Sequence, residues 1–264
     1  MRWVVRIDVP RRFIERAFGE YGIGVAFLIE ILVFSQLSEY FLTAENILNV
    51  TLQTSITAII AVGMTFVILT AGIDLSVGAL LAFSGVVATS LLNVEMPLAF
   101  VFPLAIVVGL VIGAFSGLFS GFFVTKFNIT PFIVTLALMT IWRGAAYMYT
   151  AGHPIWGLPE EFGVLGSGRI AEIPIPTIIM VVTYALAYVV LKHTPFGRHV
   201  YAVGGNREAA RLAGVNTNRV LLSVYVICGV LSALSGILLA SRMNSGQPNA
   251  GLMYELDVIA AVVV

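Results

Sequence analysis

The sequence predicts an all-α fold in which a bundle of long helices spans a membrane several times. Of the 264 residues, 59% are hydrophobic and only 11% are charged, whereas a soluble domain carries about 25% charged residues. The apolar residues form runs of about 20 residues, the length that a helix needs to cross a bilayer. Because these runs are long and do not alternate apolar with polar residues, they predict helices rather than the strands of a membrane barrel.

The individual spans follow from the positions of these runs. Seven runs are complete, and an eighth begins near Tyr254 and stops at Val264. Since a natural chain is not expected to end inside hydrocarbon, we expect the sequence to be C-terminally truncated. Residues 1–20 are predicted to precede a transmembrane domain at 21–264. The complete spans are predicted at Tyr21–Leu42, Ile47–Thr70, Leu75–Leu92, Leu98–Thr125, Pro131–Thr150, Pro174–Leu191 and Val220–Ser241.

The basic residues predict the orientation of the spans. Cytoplasmic loops are enriched in Lys and Arg, and a cytoplasmic N-terminus places all but three of the 14 basic residues on that side. One span more or fewer would put the basic clusters on opposite sides of the membrane. The first 20 residues are Arg-rich and lack a small-residue cleavage site, so no cleaved signal peptide is expected. The three exceptions lie outside or at span ends: Arg143, Arg169 and Arg242.

Several functional classes are disfavoured by composition. The formal net charge is zero, so no basic surface for nucleic acid is expected. The single cysteine, Cys228, excludes an intrachain disulfide. Neither Lys126 nor Lys192 follows a glycine, which excludes the phosphate-binding loop of ATPases. The histidines lack a second ligand at metal spacing, so no metal is expected; they are His153, His193 and His199.

Small residues recur at a spacing of four along two predicted spans. This spacing places them on one face of a helix, where small side chains let two backbones approach closely in lipid. We therefore predict tight helix packing within the subunit. The residues are Gly109, Gly113, Gly117 and Gly121 in the fourth span, and Ser232, Gly236 and Ala240 in the seventh.

A short polar break separates the second and third spans. Gly72 is able to end one helix, and Asp74 is able to cap the next by accepting backbone N–H bonds. Two interpretations are open: a plain capped turn, or a helix break that lines a polar path through the membrane. A carboxylate near a membrane segment is costly and usually faces a cavity or a partner, and this argument extends to Asp257 and, more weakly, to Glu30.

The charged stretch His193–Arg219 is predicted to be a cytoplasmic loop that contains a two-turn helix. Thr194-Pro195 ends the sixth span, because proline disfavours a helical conformation in the preceding residue. Asn206 is a suitable N-cap and Gly214 a suitable stop. Basic side chains share one face of this helix, and apolar side chains share another: Arg207 with Arg211, and Ala209 with Leu212 and Ala213.

A helix this short is marginal in water, so we expect it to dock against something. It either rests on its own membrane domain as a solvated loop helix, or acts as a lever held in a groove of a partner protein.

Three sets of residues point to one family. Together they cover the chain from the second span to its end, and they are highly specific as a group. The chain resembles the ribose-type permeases of bacterial sugar ABC importers, which include ribose, xylose, arabinose and galactoside permeases. The sets are Ala61–Thr65 with Ala71–Gly78, Tyr201–Asn206 with Ala210–Gly214, and Tyr254–Asp257 with Ile259–Val263.

The resemblance implies a type II importer-like permease of the bacterial inner membrane, which forms the translocation path for ribose or a related sugar and is not itself an enzyme. Its expected partners are a second permease subunit, ATPase subunits that hold ATP and Mg, a sugar-binding protein outside the cytoplasm, and membrane lipid. No cofactor is expected in the chain. Asp74, Ser76, Glu255 and Asp257 are tentative path residues. The coupling helix that enters the ATPase would comprise Gly204, Gly205, Asn206, Arg207, Glu208, Ala209, Ala210, Arg211, Leu212, Ala213 and Gly214.

Two other classes remain open. An ion-coupled secondary transporter would share the composition, but charged pairs deep in the spans are sparse. A membrane enzyme would need a nucleophile–base pair or a metal cluster, and the sequence offers none. A requirement for ATPase activity in uptake would separate the importer from both alternatives.

Overall fold

The computed structural model of the chain describes the backbone of residues 11–264 and the side chains of residues 22–264. The chain divides into two compact units: unit 1 is Met1–Val50 with Val264, and unit 2 is Thr51–Val263. The predicted N-terminal segment, residues 1–20, lies outside the described side chains.

Almost all regular structure in the described residues is helical. Five helices are long and apolar enough to cross a membrane, namely α2, α4, α5, α7 and α10 as bounded below, and the stretch Gly22–Leu37 and helix α3 are shorter apolar helices. The predicted multi-span helical fold is confirmed. The elements are α1 Arg11–Leu37, α2 Ala44–Leu69, α3 Val77–Leu92, α4 Leu98–Lys126, α5 Pro131–Tyr149, α6 Glu160–Ser167, β1 Arg169–Ile170, β2 Ile173–Pro174, α7 Ile175–His193, α8 Pro195–Gly205, α9 Arg207–Leu212, α10 Thr217–Met243 and α11 Tyr254–Val263.

The first predicted span ends earlier than expected, and the second begins earlier. In unit 1, α1 ends at Leu37 and α2 begins at Ala44. The Thr43 hydroxyl accepts the N–H of Asn46 at 3.3 Å, and the Asn46 side chain donates to the Phe41 carbonyl at 2.8 Å. These local hydrogen bonds form a capped turn between the two predicted spans, because a hydroxyl can satisfy the free amides at a helix start.

Two helices were not predicted. Helix α6 lies in the loop between α5 and α7, and α8 follows directly after α7. Thr194-Pro195 does end α7, as expected, but it also starts α8: Pro195 is the first helical residue, and the Thr194 hydroxyl accepts the Gly197 N–H at 3.2 Å. Proline is well suited to the first turn of a helix, where its missing N–H costs nothing.

Helix α10 is the centre of unit 2, and the glycine face of α4 packs directly on it. A Cβ at Gly113 or Gly117 would overlap backbone oxygen atoms of Gly229 or Tyr225, and one at Gly121 would lie 2.8 Å from the Leu222 Cα. The predicted close packing of this face is therefore confirmed. Only a residue without a side chain can make such a contact. The close approach of the two backbones increases the dispersion attraction between the helices.

The second row of small residues, on α10, faces α3. A Cβ at Gly236 would overlap the Leu81 carbonyl, and one at Gly85 would lie 2.8 Å from the Gly236 carbonyl oxygen. The Ser84 hydroxyl donates to the Leu81 carbonyl at 3.1 Å within its own helix. Close contacts on two faces fix α10 between α3 and α4.

The two ends of unit 2 carry different elements. We call one the α9 end, where Gly204 of α8 packs so closely on the Leu69 carbonyl that no Cβ would fit between them. The other is the α6 end, where the Ser241 hydroxyl donates to the Phe162 carbonyl and accepts the Gly166 N–H, the latter at 2.7 Å. Helix α10 connects the two ends.

The packing of the glycine face can be tested with a matched pair. We expect Gly117→Ala to lower the stability of the folded protein by roughly 1–3 kcal/mol, the usual cost of overpacking. Gly144→Ala in α5 is the control, because a Cβ there would meet nothing within 4 Å. Thermal unfolding of the detergent-purified protein measures the difference, and equal melting temperatures would contradict the close α4–α10 contact.

Candidate functional site

The short helix α9 is capped at both ends as the sequence predicted. The Asn206 side chain accepts the Ala209 N–H at 2.9 Å. Gly214 has φ = 87°, and the N–H of Val215 behind it donates to the Ala210 carbonyl at 3.0 Å. Glycine adopts this left-handed conformation at little cost, which makes it a common helix stop.

The charged side chains of α9 are partly paired with one another. Arg211 donates to both carboxylate oxygens of Glu208, at 3.0 and 2.6 Å, and these hydrogen bonds hold the pKa of the Glu208 carboxyl below its ordinary value. Arg207 donates to the Asn218 side chain at 3.0 Å. Both arginines line an open cleft of about 620 Å³. The Glu208–Arg211 pair is fully solvated and contributes little to stability.

The apolar face of α9 points away from the bundle. Leu212 is 77% exposed, whereas Ala210 is only 5% exposed and packs inward. Ala209 and Ala213 are exposed as well. The three residues predicted to share an apolar face are thus all exposed, and the contact that holds α9 to its own domain is made by Ala210.

A cavity of about 440 Å³ lies beside α9. It is lined by the end of α8, by the turn between α4 and α5, and by the break that follows α2. Gly204 belongs to the tight contact with α2, but a Cβ at Gly205 would meet nothing within 4 Å. Of the two glycines at the start of the predicted coupling segment, Gly204 is therefore required by packing and Gly205 is not. The cavity lining includes Thr70, Gly72, Asn128, Asn206 and Tyr225.

The structure brings Asp74 and Ser76 together and buries both. Asp74 is 1% exposed and Ser76 is 0% exposed. The Asp74 carboxylate accepts the Ser76 N–H at 2.9 Å and the Ser76 hydroxyl at 2.6 Å. Both donors close a local turn before α3, but the predicted cap by Asp74 is wrong: the N-cap residue of α3 is Ser76, and no side chain caps the helix there. A contact of either residue with a transported solute stays a prediction.

The other two predicted path residues lie in the first turn of α11. Glu255 is partly buried, and its Oε2 atom would lie 2.8 Å from a Cβ at Gly78 of α3. Asp257 is exposed. The four predicted residues differ in exposure: Asp74 and Ser76 are buried, Glu255 is partly buried and Asp257 is exposed.

Sequence analysis missed Arg143 and the polar contacts around it. The guanidinium of Arg143, in α5, donates to the carbonyls of Pro248 and Ala250 at 2.8 and 2.7 Å. A signal was available, since Arg143 is a charged residue well inside a long apolar run. In the sequence analysis Arg143 was placed at the end of a span, and its position within the apolar run was therefore overlooked.

Aromatic side chains of α5 join this helix to α3 and α4. The Trp142 indole N–H donates to the Ser116 hydroxyl at 2.7 Å, and the Trp142 ring stacks on Phe83 with a centroid distance of 5.1 Å. The Tyr149 hydroxyl and the Ser90 hydroxyl are 3.0 Å apart. These contacts hold α5 in place and orient the face that carries Arg143.

Several helices long and apolar enough to cross a membrane, packed closely together, are the features of a multi-pass membrane protein. A family model described as "branched-chain amino acid transport system / permease component" matches residues 46–264. The chain belongs to this family.

Curated relatives match over most of the chain. It is 46% identical over 244 residues to a ribose import permease protein of Haemophilus influenzae, with 91% of this chain and 74% of the relative covered. It is 46% identical over 263 residues to a ribose import permease protein of Bacillus subtilis, with 98% and 80% covered. An L-arabinose transport system permease protein of Escherichia coli is 37% identical over 249 residues, with 94% and 75% covered. The comparison with solved structures gives no match.

The stop of α9 can be tested by substituting its glycine. We expect Gly214→Ala to loosen the helix, because an alanine at φ = 87° is strained by roughly 1 kcal/mol. Gly205→Ala is the control: its position is equally open but has no positive φ. Hydrogen exchange of the α9 amides measures the effect, and unchanged exchange in Gly214→Ala would show that the left-handed stop is not needed.

Proposed function

We propose that this chain is the membrane permease subunit of an ATP-binding-cassette importer for ribose or a related monosaccharide. The observation that carries the proposal is the similarity to ribose import permeases at 45–46% identity over at least 91% of the chain. The arabinose relative, at 37% identity, is more distant, which favours ribose. The membrane-spanning helices and the lack of a phosphate-binding loop agree with a subunit that forms a path and leaves ATP hydrolysis to a partner.

The exposed helix α9 is the element best suited to contact the ATPase. It is capped at both ends, anchored by Ala210 and open on its apolar side, where Leu212 is 77% exposed. An exposed leucine on a rigid helix is a suitable anchor for a groove in a partner protein. ATP and Mg would lie on that partner, and no cofactor is assigned to this chain. The proposed coupling segment remains Gly204–Gly214.

The proposed orientation follows from charge. With a cytoplasmic N-terminus, the α9 end faces the cytoplasm and the α6 end faces outward, since most Lys and Arg then lie inside the cell. The α6 end would receive the sugar-binding protein, and α6 itself carries Glu160 and Glu161 in its first turn. The membrane would be the bacterial inner membrane.

The path itself is proposed to form between this chain and a second permease subunit. Glu255 and Asp257, on the open surface of α11, are better placed to line such a path than Asp74 and Ser76, which are buried. Lipid would cover the remaining apolar surface.

Reconstitution tests the proposed function. The full-length permease, its ATPase and its binding protein are placed in proteoliposomes with labelled ribose. We expect uptake that requires ATP hydrolysis and that persists when ionophores collapse ion gradients. Uptake driven by a proton or sodium gradient without ATP would overturn the importer and support a secondary transporter.

The coupling helix is tested by Leu212→Asp. The substitution removes apolar burial of roughly 1.5–3 kcal/mol and places a charge in the contact, which costs more unless it reaches water. We expect the variant to fold but to lose its ATPase during co-purification. Val164→Asp is the control, because Val164 is an exposed residue, 54% accessible, of the short helix α6 at the other end. Retention of the ATPase by Leu212→Asp would refute a coupling role for α9.

A further inference from the structure

Arg143 occupies an unusual position for a charged residue. In the five long apolar helices of the described chain, the other Lys, Arg, Asp and Glu residues lie within one turn of a helix end. Arg143 lies six residues before the end of α5 at Tyr149, about 9 Å along the helix axis. A charge at such a position is costly in lipid, and it usually faces the inside of a bundle or an aqueous cavity.

The hydrogen bonds of Arg143 leave part of its guanidinium free. Its Nη1 atom donates to the carbonyls of Pro248 and Ala250, and the residue is only partly buried. The remaining N–H groups have no hydrogen-bond partner among residues 22–264. Free donors on a partly exposed guanidinium require water, a solute or another chain.

The segment that Arg143 holds, Asn244–Met253, is irregular and runs deep into the bundle. Gly246 lies against Thr89 near the α6 end of α3, and Gly251 lies against Gly78. Thr89 and Gly78 are three helical turns apart, about 16 Å, which is roughly half of a bilayer core. Leu252 and Met253 are 56% and 60% exposed. Irregular backbone at membrane depth is tolerated where it is buried in protein or lines a water-filled cavity.

Two further residues share this surface. Tyr147 is one turn after Arg143 on the same face of α5 and is 41% exposed. Glu255, in the first turn of α11, is close enough to Arg143 for an electrostatic interaction, although no ion pair joins them within the described residues. The surface thus offers cationic donors and an anionic acceptor with no net charge between them.

We infer that Arg143 contacts the imported sugar, and that Arg143, Tyr147, Asn244–Met253 and Glu255 form one wall of its path. The inference rests on the proposed function. A sugar hydroxyl both donates and accepts hydrogen bonds, so it matches the free N–H groups of Arg143 and the carboxylate of Glu255. The balanced charge suits a neutral solute, because a charged solute would favour a surface of the opposite sign. The two carbonyl contacts fix the guanidinium before the sugar arrives.

Single-cysteine labelling tests the surface. Cys228 is the only cysteine of these 264 residues, so Cys228→Ala, with any cysteine elsewhere in the full-length permease and its ATPase also replaced, gives the background for Tyr147→Cys. A hydrophilic thiol reagent that does not cross membranes is expected to label this residue in proteoliposomes. Ile141→Cys is the control: it is 55% exposed but lies on the opposite side of α5, where lipid should shield it. Labelling in the absence of sugar shows whether water reaches this surface, and this result does not depend on which solute the protein carries.

Protection tests the contact with sugar. Ribose supplied with its binding protein and ATP should slow the labelling of Tyr147→Cys at least threefold. No labelling of Tyr147→Cys would show that lipid or a tightly packed second copy covers this face and would overturn the inference. Labelling that ribose does not slow would also overturn the contact. In each of these cases the wild-type protein still imports ribose, so the failure is separable from a failure of the proposed function.

Transport by arginine variants gives a second measurement. We expect Arg143→Gln to lower ribose uptake at least tenfold, and Arg143→Lys to recover part of it, because lysine keeps the charge but not the two-carbonyl geometry. Lys192→Gln, at an exposed position in the last turn of α7 outside the proposed path and coupling segment, is the control and should keep wild-type uptake. Wild-type uptake by Arg143→Gln, with labelling of Tyr147→Cys unchanged, would exclude a contact between Arg143 and the sugar.

Discussion

The close backbone contact of α10 with α3 and α4 is the constraint on which the rest of unit 2 depends. In lipid, apolar side chains gain nothing by leaving their surroundings, so helices associate through dispersion and close fit. The glycine face of α4 supplies that fit on one side, where Gly113 and Gly117 meet backbone atoms of α10, and Gly236 supplies it towards α3. A side chain at these positions would separate the helices and displace everything attached to them.

Both candidate functional regions are attached to the ends of this one helix. α9 lies a few residues before α10 begins at Thr217, and the segment Asn244–Met253 begins directly after α10 ends at Met243. The 27 residues of α10 extend about 40 Å. Because α10 is unbroken and tightly packed, movement of its end at α9 must either move α3 and α4 with it or break their contacts. The fold therefore gives α9, the proposed coupling helix, a stiff connection to the segment that Arg143 holds.

Features that depend on local chemistry were predictable from the sequence. Long apolar runs predicted the multi-span helical fold, although two of the seven predicted spans are shorter apolar helices in the structure. The cap at Asn206 and the stop at Gly214 were identified because each depends on one residue type in one backbone conformation. Two kinds of feature were not predictable. Pro195 follows the end of α7 and also begins α8, and only the packing of Val200 and Val203 in the core shows that the chain continues as a helix. How far Asn244–Met253 reaches into the bundle depends on tertiary packing. Its sequence is typical of an ordinary loop, and only the contact of Gly251 with Gly78 shows that it lies deep in the bundle.

The surroundings of a charged residue in a membrane protein help to separate a structural role from a functional one. Asp74 is 1% exposed, and Ser76 donates its N–H and its hydroxyl to the Oδ1 atom of the carboxylate at 2.9 and 2.6 Å, so both hydrogen bonds of this group lie within its own turn. Arg143 is satisfied on one side only, by two carbonyls, and Glu255 approaches it without forming an ion pair. A polar group that is enclosed and bonded to its own turn stabilises that turn, whereas a partly exposed one with free donors at membrane depth requires water or a solute. This criterion favours a structural role for Asp74, whose contact with a solute stays a prediction, and it favours the proposed solute-facing surface for Arg143 and Glu255.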